Sequence, residues 1–212
     1  MSEYVVDDRE MPRFRVNRDV MVDPEVFARE RDAIFEHSWL YIGHETELKK
    51  KNDFTTRTVA GRPLIFARDA KNNIRVWINS CPHRGAMLCR ERTGNARFMT
   101  CFYHGWTFST AGDMVSMPGD DAYGADFARP DLAAPPRVDS YRGFVFVSFD
   151  PGIVDLVTYL AGATEYLDLV CDQSISQMHV LAGTHEYSIK ANWKLLVENS
   201  VDGYHAVSTH QR

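Results

Sequence analysis

Cys81 and His83 stand two positions apart, and after seventeen intervening residues Cys101 and His104 stand three apart. Each short segment therefore offers one thiolate and one imidazole. Such a set suits either a tetrahedral structural zinc or a two-iron, two-sulfide centre in which two Cys hold one iron and two His the other. Zinc modules usually pair Cys with Cys and His with His, whereas both segments here are mixed, which favours the two-iron centre. Replacing thiolate by imidazole on one iron removes negative charge and raises the reduction potential, so the chemistry would be electron relay. A second concentration runs from Glu198 to His210 and holds Asn199, Asp202, Tyr204 and His205 between them. On a regular helix Glu198, Asp202 and His205 fall nearly on one face, because steps of four and three return to the same side. His210 is five on from His205 and sits about 140° away on a helix of 3.6 residues per turn. Both imidazoles reach one ion only if the helix ends, bends or widens between them, and Gly203 and the Ser208-Thr209 pair favour such an irregularity.

The elements that must position these residues are legible in outline. Asp23 as N-cap, Pro24 at the first helical position and Phe27, Ile34 and Phe35 on one face predict a helix running to about Trp39. Short β-rich runs follow (Phe54 to Val59, Leu64 to Arg68, Ile74 to Ile78), separated by Gly61-Arg62-Pro63 and Asn72-Asn73, the turn chemistry of antiparallel strands. Two loops, Cys81 to Cys89 and Cys101 to Trp106, interrupt this β unit. A Pro/Gly/Asp-rich connection, Pro118 to Pro136, precedes a closing strand, Arg142 to Phe149. Beyond Asp150-Pro151-Gly152 the period changes: Leu156, Leu160, Ala163, Leu167 and Val170 recur at the three-and-four spacing of one helix face. A strand at Tyr187 to Ile189 and a helix capped by Asn192, carrying Trp193, Leu196, Val197 and Val201 inward, are expected next. A helix, a strand and a helix do not easily close a core, and no internal repeat supplies further layers, so this second domain reads as unfinished. Cys89 and Cys171 read as buried thiols.

Composition sets the class. With 212 residues, 44% hydrophobic and 25% charged, the chain has an average globular make-up and enough length for a real core. A formal net charge of -5, from 24 basic against 29 acidic side chains, argues against a nucleic-acid surface, and the one basic run is Lys49-Lys50-Lys51. No apolar stretch approaches the roughly 20 residues of a membrane span, and the acidic start Glu3, Asp7, Asp8 is unlike a secretory signal. No membrane association and a cytoplasmic location are expected. Four Cys are too few for a disulfide framework.

Cys81-Pro82-His83-Arg84-Gly85 together with Cys101-Phe102-Tyr103-His104-Gly105-Trp106 resembles the Rieske iron-sulfur signature, C-x-H-R-G and C-x-x-H-G-W. That resemblance implies a [2Fe-2S] cluster on Cys81, His83, Cys101 and His104, with Arg84, Tyr103 and Trp106 placed to shield or tune it, unless Trp106 is simply core. The string from Glu198 resembles the E-N-x-x-D-G-Y-H-x-x-x-x-H motif of Rieske non-haem iron oxygenases, in particular the large (alpha) subunits of aromatic-ring-hydroxylating dioxygenases. By that resemblance His205 and His210 are two arms of a two-histidine, one-carboxylate site for a mononuclear Fe(II) with open positions for dioxygen. Asp202 would bridge an iron-ligating His and a Rieske His of a neighbouring subunit, Asn199 and Tyr204 would line or support the iron, and Glu198 would back these residues or contact a neighbouring subunit. The family's third ligand is an aspartate far downstream, and no residue here matches it. His37, His44, His179 and His185 fit no motif and default to hydrogen-bonded structural roles.

The implied fold is α+β: an N-terminal arm and helix (1–40), an all-β Rieske domain (41–150), and the truncated start of a helix-grip (α/β sandwich) catalytic domain (151–212), in all the N-terminal half of the family's chain. The implied activity is an oxidoreductase of aromatic hydrocarbon catabolism. Electrons from NADH, through a reductase or ferredoxin, reach the cluster and then the iron, which inserts dioxygen into an aromatic substrate by cis-dihydroxylation. The motif is closer to the benzoate and cumate type, which suggests an aromatic carboxylate. The family's large subunits assemble as trimers, alone or with three small beta subunits. Alternatives left open are a Rieske monooxygenase or demethylase and a stand-alone Rieske electron carrier, with the fragment alone expected to lack substantial turnover.

Overall fold

The computed structural model describes residues 4–124, 126–176, 178–181 and 187–210. It divides into two compact units, residues 1–33 with 183–212, and residues 34–182. The first unit opens with an antiparallel hairpin, β1 (Val5–Asp8) and β2 (Arg13–Val16), then a one-turn helix α1 (Asp19–Val22) and α2 (Pro24–Ala33). The Asp23 carboxylate accepts the Glu25 amide at 2.8 Å, which satisfies one of the orphan N–H groups at the start of α2. The helix is shorter than the sequence pattern predicts. It stops at Ala33, and Phe35–His37 tightens into a 3-10 turn before the chain extends at Ser38.

The second unit is built on sheets. β4 (Asp53–Val59), β5 (Arg62–Arg68), β6 (Ile74–Ile78) and the short β7 (Thr93–Asn95) form an antiparallel sheet in the order β6-β5-β4-β7, with β3 (Leu40–His44) preceding it in sequence. The three strands predicted for this region are all present. β5 explains the layering: Leu64 and Phe66 enter one apolar core while Ile65 and Ala67 enter another, and all four are fully buried. A strand covered on both faces reads as a continuous apolar run, as Leu64-Ile65-Phe66-Ala67 does. One core lies against a sheet of β8 (Phe98–Thr100), β9 (Thr107–Ser109) and β10 (Met114–Ser116). The other lies against β11 (Arg137–Tyr141), β12 (Phe144–Ser148) and β3, in the order β11-β12-β3. The strand expected from Arg142 starts only at Phe144, because Arg142 and Gly143 take positive φ (52° and 88°) as the two-residue turn between β11 and β12. The Pro-rich connection is irregular, yet Leu132 is buried and the Ile78 amide bonds the Ala133 carbonyl at 2.7 Å, so it seals the sheet edge.

The long helix expected after Gly152 is two helices, α3 (Leu156–Leu160) and α4 (Ala163–Cys171). Ala161, at φ 45°, breaks them apart, so the expected continuous face is interrupted. Leu156 packs with Trp39 and Ile153, and Cys171 is buried as expected. In the first unit the chain closes with α5 (Trp193–Val201) and α6 (Ala206–Thr209). Tyr187 to Ile189 forms no strand. The Asn192 side chain caps α5 by accepting the Lys194 amide at 3.1 Å, as predicted. The inward face predicted for α5 is a correction: only Trp193 is partly covered, while Leu196 is 60% exposed and Val197 and Val201 are exposed too. α5 is tied instead by its first turn, where Glu30 of α2 accepts Trp193 Nε1 at 3.0 Å and Lys194 Nζ at 2.5 Å. Among the described residues no helix is long and apolar enough to cross a membrane.

Candidate metal centres

The two Cys-His loops leave the sheets by the same backbone turn. The Gly85 amide bonds the Cys81 carbonyl at 2.8 Å and the Cys81 amide bonds the Ala86 carbonyl at 2.8 Å. In the second loop the Gly105 amide bonds Cys101 at 2.9 Å and the Cys101 amide bonds Trp106 at 2.8 Å. Each turn closes on a glycine with positive φ, 74° at Gly85 and 72° at Gly105, a conformation that a Cβ would penalise. The sequence spacing Cys-x-x-x-Gly is thus the signature of the turn, and His83 and His104 occupy different places on it.

The loops meet. Cys81 and Cys101 are buried, unpaired by any disulfide, and close enough for a thiol–thiol hydrogen bond. Burial pushes the Cys81 thiol up, the backbone N–H groups of His83 and Arg84 aimed at its sulfur pull it back, and the Cys101 thiol raises it again. The His83 and His104 rings lie 4.5 Å apart at 71°, and Trp106 stacks on His83 at 4.5 Å and 16°. Desolvation first, then the positive neighbours His83 and Arg84, lower the His104 pKa and favour the neutral imidazole that ligates metal. His83 Nδ1 is buried with no hydrogen-bond partner. A buried ring nitrogen left without a donor or acceptor is costly unless something else binds it, and with the buried Cys81 and Cys101 thiols and the His104 ring it makes a donor set that fits a two-Cys, two-His cluster. Among the described residues no group of three or more His, Cys, Asp or Glu is set around a single ion. Trp106 serves both predicted roles: it is buried in the apolar core and it covers His83.

Sequence reasoning missed the residue that holds the first loop shut. Asn79, 3% exposed, donates to the Cys89 carbonyl and accepts the amides of Leu88 and Cys89. The only signal for it was a polar residue ending a strand two positions before a ligand.

In the first unit the geometry required of the second motif is met. α5 ends at Val201, Asp202 leaves the helix at φ -80° and ψ 101°, and α6 starts at Ala206. That break precedes both histidines; His205 and His210 flank the single turn of α6, which ends between them at Thr209, and their rings lie 5.4 Å apart at 67°. Asp202 sits at the corner: its carboxylate meets His205 Nδ1 at 2.9 Å and accepts the Tyr204 amide at 2.8 Å. The His205 interaction, then the Tyr204 amide, lower the Asp202 pKa. With Nδ1 held by a carboxylate, Nε2 of His205 is the nitrogen directed to a metal. Asn199, Glu198 and Tyr204 are exposed and are not gathered onto the two imidazoles. Of the remaining histidines, His37 pairs with Asp150 at 2.8 Å and buried His44 bonds Thr46 and the Arg142 carbonyl, both structural as expected, while His185 lies outside the described residues.

Comparison with known proteins agrees with both halves of this description. A Rieske [2Fe-2S] domain model matches residues 38–141, and a ring-hydroxylating alpha subunit catalytic-domain model matches residues 177–212. The alpha subunit of toluate 1,2-dioxygenase from Pseudomonas putida is 36% identical over 99% of this chain and 47% of its own length. The large subunit of anthranilate 1,2-dioxygenase from Acinetobacter baylyi is 40% identical over 93% of this chain and 42% of its own. The crystal structure of naphthalene 1,2-dioxygenase from Rhodococcus sp. bound to indole superposes with a TM-score of 0.88, at 38% identity, over 92% of this chain and 46% of that one. The chain spans about half the length of the curated relatives it matches. A Rieske domain with its paired Cys-His loops, followed in the same polypeptide by the histidine motif of the catalytic domain, places this chain in the family of Rieske non-haem iron ring-hydroxylating dioxygenase alpha subunits.

Proposed function

We propose that this chain acts within the oxygenase component of an aromatic-ring dioxygenase, and that its substrate is an aromatic carboxylate. One observation carries the reading: the His83 and His104 rings packed together in the loops that hold two buried thiols in one unit, and the His205 and His210 rings paired across the short helix α6 in the other. The toluate and anthranilate enzymes among the relatives are named for aromatic carboxylates, which supports the substrate class.

Cys81 and Cys101 would hold one iron of a [2Fe-2S] cluster and His83 and His104 the other, while His205 and His210 would hold a mononuclear iron. When bound, the cluster supplies single electrons and the mononuclear iron supplies activation of dioxygen for cis-dihydroxylation. The chain's own residues do the positioning. The glycine turns at Gly85 and Gly105 aim the four donors, the stacked Trp106 excludes water from His83, and Asp202 fixes the tautomer of His205. Asp202 also gives a hydrogen-bonded route between the two kinds of centre if its other face meets a Rieske histidine of a neighbouring subunit. Electrons come from NADH through a reductase or ferredoxin, in a cytoplasmic oligomer of alpha subunits, alone or with small subunits. Asn199 and Tyr204 support the iron once the site is assembled.

The test is iron, zinc and acid-labile sulfide per chain on anaerobically purified protein, with EPR on reduction. Two irons with two sulfides and a Rieske signal are expected, and zinc without sulfide overturns the reading. With reductase, NADH and labelled dioxygen supplied to the assembled oxygenase, both oxygen atoms should enter a benzoate-type acid. One labelled atom in the product would make it a monooxygenase.

A further inference from the structure

Phe127 lies in the irregular connection between β10 and β11, and its ring meets Trp106 at 6.4 Å and 77°, the T-shaped contact that aromatic pairs prefer. Trp106 is the indole stacked on His83, so this connection, which carries none of the four predicted ligands, reaches one of them through two rings. Tyr123 packs against Phe127 at 4.6 Å. Several fastenings hold the stretch in place. Pro118 sits on the turn glycine of the second ligand loop, where a Cβ added at Gly105 would stand 3.0 Å from Pro118 Cγ. Asp120 and Arg129 form an ion pair, and the Phe127 amide bonds the Gly124 carbonyl at 3.0 Å. Leu132 is buried in the core that contains Cys81, Cys101 and Trp106, with its amide on the Gly112 carbonyl at 2.9 Å.

We propose that Phe127 is a positioning residue for the electron relay: it holds Trp106 flat on His83 and, through that indole, keeps water from the imidazole side of the cluster and its potential down. The inference rests on the Rieske reading above and adds to it a residue, distant from both ligand motifs, that sets how readily the centre takes an electron. Two ferric irons, two sulfides and two thiolates, with neutral imidazoles, carry no net charge, and one added electron leaves a net negative charge. Water stabilises a charged form better than an apolar shell does, so a dry cover disfavours the reduced state. Among the described residues the rings in contact with Trp106 are His83 and Phe127, and Trp106 is only 5% exposed. Taking away the Phe127 ring therefore uncovers the indole and, behind it, His83. Phe127 itself is 37% exposed, so its truncation changes the cover on Trp106 more than it changes the core.

The experiment is a redox titration of the cluster-loaded protein, followed by EPR, on the parent, Phe127→Ala and Phe127→Tyr. At a fixed applied potential the ratio of reduced to oxidised centre should rise about threefold in Phe127→Ala, an upward shift of about 28 mV given about 59 mV per tenfold for one electron. Phe127→Tyr keeps the ring on Trp106 and should titrate with the parent. In heavy water, deuterium couplings at the reduced centre should strengthen in Phe127→Ala alone, because solvent then approaches His83. Iron and sulfide content should match in all three proteins, which separates loss of cover from loss of fold. If Phe127→Ala fails to hold the cluster, Phe127→Leu, which has no ring, takes its place with the same expected direction. A potential equal to or below the parent's in the ringless variant would overturn the proposal, and so would an equal shift in Phe127→Tyr. A parent without a Rieske signal would overturn the Rieske reading itself, whereas a normal parent signal with an unresponsive potential removes only the role of Phe127.

Discussion

Asn79 grips Cys89 at both ends of its peptide: Nδ2 donates to the Cys89 carbonyl at 2.7 Å and Oδ1 accepts the Cys89 amide at 2.8 Å, with the Leu88 amide at 3.0 Å as a second donor. The segment from Asn79 to Cys89, which contains Cys81 and His83, is thereby closed into a loop by one buried side chain. Asn79→Ala strands two amides and a carbonyl away from water, and each buried unsatisfied group costs about 1–3 kcal/mol. The expected result is a loss of about 3 kcal/mol or more in chemical denaturation, with less iron and sulfide retained per chain. Asn79→Asp keeps an oxygen for the two amides but sets a second oxygen against the Cys89 carbonyl in place of the donor, so it should retain more cluster than Asn79→Ala, though less than the parent. Equal cluster content in the two variants would contradict the clamp.

Cys89 is in the same apolar core as Cys81 and Cys101, yet its role differs. Burial pushes its thiol up to about 11, and no N–H aims at it to bring it down. The thiolate is the reactive form, so at pH 8 native Cys89 should be inert to aromatic disulfide reagents and should react only once the protein is unfolded. Cys89→Ala should keep the full complement of iron and sulfide, whereas Cys81→Ala and Cys101→Ala should lose it. Metal and sulfide analysis of the three proteins checks the distinction.

The ligand loops could be read from the chain because Cys-x-x-x-Gly is a local turn and both ligands of each loop sit inside it. β5 could be read because a strand buried on both faces needs a continuous apolar run. What escaped the reading was set by distant partners. The end of α2 at Ala33, the break at Ala161 and the start of β12 at Phe144 each depend on a backbone turn without strong punctuation in sequence, since Ala161 and Arg142 take positive φ where glycine would have announced it. The short strands β7 to β10 run three residues each, too brief for a period to register. The sequence pattern gives α5 an inward apolar face, but Leu195, Leu196, Val197 and Val201 are exposed, and the helix is anchored through Trp193 and Lys194 to Glu30, more than 160 positions away. The clamp at Asn79 belongs to the same class: one polar residue, with partners settled by loop closure.

Asp69 gives a pH dependence with a definite sign. Burial alone would raise its carboxyl, but the Asn73 side chain and amide, the Arg75 guanidinium and the Lys71 amide all bond it and bring the pKa below the ordinary value. A carboxyl depressed in the folded state contributes stability that is fully present above its unfolded pKa of about 3.9 and is lost as pH falls through the folded value. Denaturation midpoints should therefore drop more steeply below about pH 4 in the parent than in Asp69→Asn. Asp69→Asn should also be less stable at pH 7, because its amide nitrogen would replace an oxygen that accepts N–H groups. Parallel pH curves for the two proteins would remove Asp69 from the account.

Asp202 stands at the end of α5 and holds the first of the two paired imidazoles. Its carboxylate holds His205 Nδ1, and that contact is the first cause of its lowered pKa. A carboxylate behind a ligating imidazole fixes the tautomer and raises the basicity of the opposite nitrogen, and removing such a partner typically costs 10- to 100-fold in metal affinity. Cobalt(II), a spectroscopic stand-in for iron(II), should bind the parent chain through His205 and His210 and perturb both imidazoles. Asp202→Asn retains the size and an acceptor oxygen but loses the charge, and should weaken that binding by about 10-fold or more. His205→Ala and His210→Ala should each abolish it, while the Rieske EPR signal stays unchanged in all three variants. Cobalt affinity that is the same in Asp202→Asn as in the parent would make the Asp202–His205 contact a helix-end cap with no part in holding metal.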